Sequence, residues 1–360
     1  MKIKDICTSV TDGSHNPPQG IEKSEYMMLS SKNIFDDEIT FDEPRFLSEK
    51  DFEREHKRTQ IAVGDVLLTI VGTVGRTAVV DEDMPAFALQ RSVAVLHPKN
   101  DVCLPRFLMY ALRGKRTYIE NRAKGVAQKG IYLKEVSDID IYIPDISNQE
   151  IIINKLDKVN TIIKLRQEEL LALDNLIKAR FVEMFGDPVS NSYGFPEATL
   201  PELGELGRGV SKYRPRNDSK LLGGDYPLIQ TGDVANAGLY ITSYGGTYSE
   251  LGLKQSKMWN KGTLCITIAA NIAKTAILEF DACFPDSVVG FIANEKTNNI
   301  FIHYWFSFFQ AILESQAPES AQKNINLKIL SELKVIVPKK EKQDEFVEFI
   351  EQVYKSKVTV

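Results

Sequence analysis

Two kinds of apolar spacing alternate along the 360-residue chain. Short unbroken runs rich in β-branched residues, VLLTIV (Val66–Val71), TAVV (Thr77–Val80), SVAVL (Ser92–Leu96) and IDIYIP (Ile139–Pro144), are separated by turn residues. Such runs predict strands. Helical spacing appears in RFLMYALRGKRTYIENR (Arg106–Arg122) and in FIHYWFSFFQAILES (Phe301–Ser315). A longer helical pattern follows Ser147, where Ser147 and Glu150 read as a capping box, and it stops at Gly186 and Pro188. Its apolar positions fit a heptad. Leu156, Ile163, Leu170, Ile177 and Met184 fill one position; Ile152, Val159, Arg166, Leu173 and Arg180 fill the other. The two arginines make the seam imperfect.

The pattern then repeats. GDVLLTIVGTVGRTAVV (Gly64–Val80) aligns without a gap with GTLCITIAANIAKTAIL (Gly262–Leu278). QKGIYLKEVSDIDIYIP (Gln128–Pro144) aligns with QKNINLKILSELKVIVP (Gln322–Pro338), and NQEIIINKLDKV (Asn148–Val159) with KQDEFVEFIEQV (Lys342–Val353). Phe346, Ile350 and Val353 thus repeat the seam positions Ile152, Leu156 and Val159. YMMLSSKNI (Tyr26–Ile34) matches YPLIQTGDV (Tyr226–Val234) more loosely. The repeat bears on GTVG, which by itself suggests a phosphate-binding loop. Gly72 and Gly75 become Ala270 and Ala273 in the second copy, and a strand pattern, not a helix, follows both. A phosphate cradle needs backbone N–H groups exposed by glycine at a helix start. GTVG therefore reads as a turn between strands with a basic residue, Arg76 or Lys274, at its exit.

Composition narrows the classes. Apolar residues make up 43% and charged residues 26%, ordinary for a soluble globular chain. No apolar stretch approaches the ~20 residues of a membrane span, and a cytoplasmic location is expected. The four cysteines (Cys7, Cys103, Cys265, Cys283) form no C-x-x-C pair, so neither a disulfide framework nor a zinc site is expected. The four histidines show no ligand spacing, and no catalytic motif or cofactor fingerprint is found; no cofactor and no metal are expected. HNPPQG (His15–Gly20) resembles the Asn-Pro-Pro loop of DNA amino-methyltransferases, but Gln19 stands where the base-stacking aromatic belongs. The net charge is −5, yet residues 105–134 hold eight cations (Arg106, Arg113, Lys115, Arg116, Arg122, Lys124, Lys129, Lys134) against Glu120 alone. SKYRPRN (Ser211–Asn217) adds Lys212, Arg214 and Arg216 around Tyr213. Such clusters can neutralise phosphates and offer forked donors to base edges.

In their order and duplication, GDVLLTIVGTVGRTAVV, GVAQKGIYLKEVSDIDIYIP and NQEIIINKLDKVNTIIKLRQEELLALDNLIKARF resemble the specificity subunits of type I restriction–modification systems. The resemblance covers essentially the whole chain. It implies an α+β fold in which two pseudo-repeated mixed α/β target-recognition domains (1–146 and 187–340) are joined by long coiled-coil-like helices, central (147–186) and C-terminal (341–360). It implies that each domain reads one half of a split, asymmetric target in double-stranded DNA. The helices would pack antiparallel and dock two adenine-N6 methyltransferase subunits. An endonuclease/translocase subunit would join, and the chain itself would do no chemistry. A helix of about 38 residues spans ~57 Å, more than one DNA turn of about 34 Å. The DNA contacts implied are Ser14, His15, Asn16, Thr73, Arg76, Lys124, Gln128 and Lys129 in the first domain. In the second they are Lys212, Tyr213, Arg214, Arg216, Asn271, Lys274, Gln322 and Lys323. Because the C-terminal helical pattern is short, the seam at Leu170, Leu173 and Ile177 is expected to be left open for the methyltransferase. The competing readings are a stand-alone DNA-modifying enzyme and a helical adaptor that never reads DNA.

Overall fold

The computed structural model describes residues 1–125, 129–269, 272–316 and 325–358. Two compact units divide the chain at Leu165/Arg166, within one continuous helix, Ile146–Phe185, here the central helix. The fold is α+β.

In the first unit a four-stranded antiparallel sheet runs in the order Cys7–Asp12, Val93–Pro98, Val66–Thr69, Thr77–Val79. The unbroken apolar runs have a direct cause: the sheet is covered on both faces. Val66, Leu68, Ala94 and Leu96 pack with Ile3, Phe107, Leu108 and Leu112 on one side. Leu67, Ala78, Val93 and Val95 pack with Leu29, Phe87 and Leu89 on the other. Side chains alternate between faces along a strand, so when both faces are dry every position is apolar. The helical stretch 106–122 is two helices, Pro105–Gly114 and Arg116–Arg122, hinged at Lys115.

The second unit repeats this plan. Gly204–Arg208, Val288–Ala293, Leu264–Thr267 and Thr275–Leu278 form the same antiparallel order, and Tyr240–Ile241 adds a parallel edge. Leu67 pairs with Ala78 in the first unit, and Cys265 with Ala276 in the second, at aligned positions. The looser upstream match is also structural: Met27–Leu29 pairs in parallel with Phe87–Leu89, and Leu228 pairs in parallel with Cys283.

The two helical copies begin and pack differently from the pattern alone. Asp145, not Ser147, caps the central helix, accepting from the Asn148 N–H at 2.9 Å and from the Ser147 hydroxyl at 2.7 Å. Gly186, at φ +70°, ends it as anticipated. Residues 166–185 pack antiparallel against the C-terminal helix, Lys340–Val358. Ile177, Phe181, Met184 and Phe185 share one core with Phe346, Ile350 and Val353. The expectation of an open seam at Leu170, Leu173 and Ile177 is therefore corrected. Ile177 is 1% exposed, Leu173 packs on the same core and Leu170 is half-buried. The heptad arginines are explained by the same packing. Arg166 donates to the last carbonyls of the C-terminal helix, Ser356 and Lys357, where the helix dipole favours a cation. Arg180 bonds Glu345 at 3.0 Å and lies over the Phe349 ring.

In the first unit the seam faces solvent. Ile152 and Leu156 are each 37% exposed, Val159 and Ile163 each 50%. The buried face there is a different one: Gln149, Ile153, Asp157 and Asn160. Asp157 takes Arg106 at 2.6 Å and the Tyr110 hydroxyl, and Asn160 donates to Tyr110 at 2.9 Å. Burial would raise the Asp157 carboxyl, but bonds from Arg106 and Tyr110 hold it below the ordinary carboxylate range.

Candidate nucleic-acid interface

The repeated turn is built by threonines. Thr69 and Thr267 are fully buried at the end of matching strands. The Thr69 N–H donates to the Arg76 carbonyl and the Arg76 N–H to the Thr69 hydroxyl, both at 2.9 Å. Thr267 and Lys274 make the same pair of bonds, at 2.9 and 3.1 Å. The residue before each cation turns back onto its threonine: the Gly75 and Ala273 N–H groups donate to the Thr69 and Thr267 carbonyls at 2.9 Å. Both adopt left-handed backbone, φ +93° for Gly75 and φ +57° for Ala273. That conformation is free for glycine and costs an alanine about 1 kcal/mol or more. At its described residues the second turn therefore keeps the hydrogen bonds of the first with Ala273 in place of Gly75. Strands follow both turns, so neither is a phosphate loop.

A second segment abuts each turn. In the first unit the Ile131 N–H donates to the Ile70 carbonyl at 2.9 Å and the Gly72 N–H to the Lys129 carbonyl at 3.0 Å. In the second the Ile325 N–H donates to the Ile268 carbonyl at 3.0 Å. Lys129 and Ile131 in the first unit and Ile325 in the second thus dock on the turns. Gln128, Asn271, Gln322 and Lys323 lie outside the described residues.

Around the first turn two neighbouring concavities open. One is lined by Thr73, Arg76, Arg116, Asn121 and Lys129, the other by His15, Arg91, Lys124 and Tyr132. Thr73, Lys124 and Lys129 are exposed, and Tyr132 is 71% exposed. Arg91, Lys124 and Lys129 form no ion pair among the described residues, which leaves their charge available. Arg76 is half-buried, its guanidinium 4.9 Å from the Phe35 ring. His15 and Asn16 are exposed, and His15 contacts Asp12 at 2.7 Å. Ser14 is buried, its backbone paired with Leu89 and Arg91. Its side chain is almost wholly enclosed, at 4% exposure.

The basic run 105–134 is not one surface. Arg106 is bound by Asp37 and Asp157, and Arg113 and Arg116 by Asp36. Burial would raise Asp36, yet Arg116 and Arg113 hold it below the usual range. These three arginines brace helices; Arg122 and Lys115 flank the exposed Tyr118 ring. Of this run, Lys124, Lys129 and Lys134 form no ion pair among the described residues. In the second unit Arg214 and Arg216 converge on Asp286, and Gln255 accepts from the backbone N–H groups of Lys212 and Tyr213. The loop 211–217 is thereby held in shape while Lys212 and Tyr213 remain exposed. Lys274 is half-buried. Sequence reasoning missed Arg91, Tyr132, Asp36 and Asp286; none carries a local signal, because each acquires its role from residues distant in sequence.

The histidines are dispersed, and no group able to hold a metal occurs among the described residues. His303 is half-buried and bonded to Thr275, and desolvation lowers it to about 4, so it is neutral at pH 7. The four cysteines are buried and unpaired. No described helix is long and apolar enough to cross a membrane.

Known proteins share this arrangement. The family model described as type I restriction modification DNA specificity domain matches residues 1–175 and again 197–360. The specificity subunit of the type I restriction enzyme EcoBI of Escherichia coli is 26% identical over 186 residues, 50% of this chain and 38% of that protein. A curated sequence assigned as the specificity subunit of the type I restriction enzyme MjaX of Methanocaldococcus jannaschii is 22% identical over 364 residues. That match spans 95% of this chain and 83% of that protein. Among solved structures, the S subunit of a type I restriction–modification system from M. genitalium aligns with a TM-score of 0.57 at 15% identity, covering 99% of this chain and 89% of that one. A chain from a study of complex assembly in a type I system aligns with a TM-score of 0.55 at 16% identity, covering 99% and 90%.

Proposed function

Because the chain belongs to the type I restriction modification DNA specificity domain family, we propose that it is the DNA-reading, non-catalytic subunit of such a system. Each unit reads one half of a split target, and the helices dock the adenine-N6 methyltransferase subunits that an endonuclease/translocase joins. The carrying observation is the duplicated threonine-locked turn that delivers Arg76 in one unit and Lys274 in the other. A device that holds a backbone constant while its outward side chains differ suits two recognition units with different targets. Base edges are read by side chains, while phosphates fix register. Arg91, Lys124 and Lys129 serve the phosphates, and Thr73, Arg76, His15 and Tyr132 are placed for base or sugar contacts. In the second unit the corresponding set is Lys212, Tyr213, Arg214, Arg216 and Lys274. The target is asymmetric because the two sets differ.

The solvent-facing stripe Ile152, Leu156, Val159 and Ile163 supports methyltransferase docking, since a contiguous apolar row on a soluble helix marks an interaction surface. The test is a genome-wide map of N6-methyladenine in cells carrying the partner methyltransferase, with and without this chain. Methylation of one split, asymmetric motif only when the chain is present is the expected result. Identical maps, in cells where the chain co-purifies with the methyltransferase, would overturn the reading.

A further inference from the structure

One side chain recurs in both units with the same task. Gln149, on the first turn of the central helix, is fully buried. Its amide donates to the Val102 carbonyl at 2.9 Å and to the Pro144 carbonyl at 2.8 Å, and its carbonyl accepts from the Leu104 N–H at 2.8 Å. Gln343, on the first turn of the C-terminal helix, is also fully buried. Its amide donates to the Lys296 carbonyl at 3.0 Å and the Pro338 carbonyl at 2.8 Å, and its carbonyl accepts from the Thr297 hydroxyl at 2.9 Å. The carbonyls that accept from the two amides fall at aligned positions: 144 and 338, 102 and 296, around 149 and 343.

Each glutamine therefore ties three pieces of its own unit together. These are the segment that leaves the domain, the helix that follows, and the loop that enters the domain's principal helix, Pro105–Gly114 or Asn299–Gln316. An apolar residue would fill the same space without direction. Glutamine's amide offers two donors and an acceptor in one plane, so its bonds are satisfied at only one angle between helix and domain. Buried amide groups left unpaired are costly, which makes other angles unfavourable.

We infer that Gln149 and Gln343 are positioning residues that fix the direction in which each helix leaves its recognition unit, and with it the spacer length at which the two half-targets are read. The second clause rests on the split-target reading above; the first does not. A direct test uses the full chain with spin labels on cysteines introduced at Lys50 and Lys164, both exposed and both within the first unit. The native cysteines are buried and stay unlabelled. Gln149→Met should broaden the Lys50–Lys164 distance distribution by about a factor of two while the circular dichroism stays native. A distribution as narrow as wild type would overturn the positioning role. If Gln149→Met does not fold, Gln149→Glu, which keeps the acceptor and loses both donations, carries the same test.

The spacer is read in the methylation map. With Gln149→Glu the half-target bases should be unchanged, while methylation at sites one base pair longer or shorter in the spacer should rise about tenfold, the population released by an unpaired buried group. Methylation confined to the native spacer at wild-type level would overturn the spacer role. Equal loss at every spacing would also overturn it, as the mark of a merely structural residue. Absence of any split motif with the wild-type chain would defeat the split-target reading alone and leave the label measurement standing.

Discussion

Ile152, Leu156 and Val159 occupy the same places in the repeat as Phe346, Ile350 and Val353. The first three face solvent; the second three are the centre of a core. The difference comes from what each unit sets against its helix. The second unit presents residues 166–185 of the central helix and a cluster of rings: Phe181, Phe185, Phe301 and Phe346, with centroids 4.9–5.6 Å apart. The first unit holds its helix by the opposite face and by polarity, through Arg106, Asp157, Tyr110 and Asn160. Aligned positions thus share backbone but not partners. One copy of the motif is buried in folding, and the other is left facing solvent.

The largest effect should separate these two uses. Ile350→Asp puts a charge into a dry core and should cost about 4 kcal/mol or more, unfolding the second unit in a denaturant titration. Leu156→Asp with Ile163→Asp should shift stability by only about 0.5 kcal/mol per site, yet abolish co-purification with the methyltransferase. Equal unfolding by both variants would erase the distinction.

Next in size is the polar clamp. Asp157→Asn should destabilise the first unit by about 1–2 kcal/mol, and a double-mutant cycle with Arg106→Ala should return a coupling of similar size. The mutation equivalent in position, Glu351→Gln, lies on an exposed face and should be neutral. Additivity of the Asp157 and Arg106 losses would show that the clamp is incidental.

Smaller again is the effect of the two turn cations. Arg76→Ala and Lys274→Ala should each relax sequence preference at one position of the target while leaving the slope of log affinity against log salt nearly unchanged, as base contacts do. A slope reduced by about 1 with unchanged preference would instead mark a phosphate contact. The smallest effect is the pH response. Asp157 and Asp36 are held below their ordinary values in the folded chain. Their contribution is therefore present above the unfolded value of about 4 and is lost as pH falls through the lower folded values. The unfolding midpoint, followed downward from pH 6, should fall more steeply for wild type than for Asp157→Asn.

Much of this was legible in the sequence for a physical reason. The turn repeated as T-x6-K/R: a buried threonine and a left-handed residue make it, through bonds to the backbone of Arg76 or Lys274. The inner strands were legible because a sheet covered on both faces favours unbroken apolar runs. The heptad was legible as a period, but a period names no partner, so the open and covered stretches were exchanged. The basic run reads as one cluster in the sequence, but the acids that pair with three of its arginines, Asp36, Asp37 and Asp157, come from elsewhere in the chain. Gln149 and Gln343 aligned in plain view, yet a polar residue in a polar segment gives no hint that it is buried.

The left-handed alanine at 273 has a further consequence. A turn that tolerates both Gly75 and Ala273, with its ends stitched to Thr69 and Thr267, behaves as a socket rather than as a fitted loop. Its contents can be replaced without disturbing the strands that carry it. With the recognition role proposed above, a lineage could explore new DNA sequences through a handful of exchanges at these sites, while the cost in stability stays near that of an ordinary surface substitution. Adaptability of recognition is then a property of where the hydrogen bonds end.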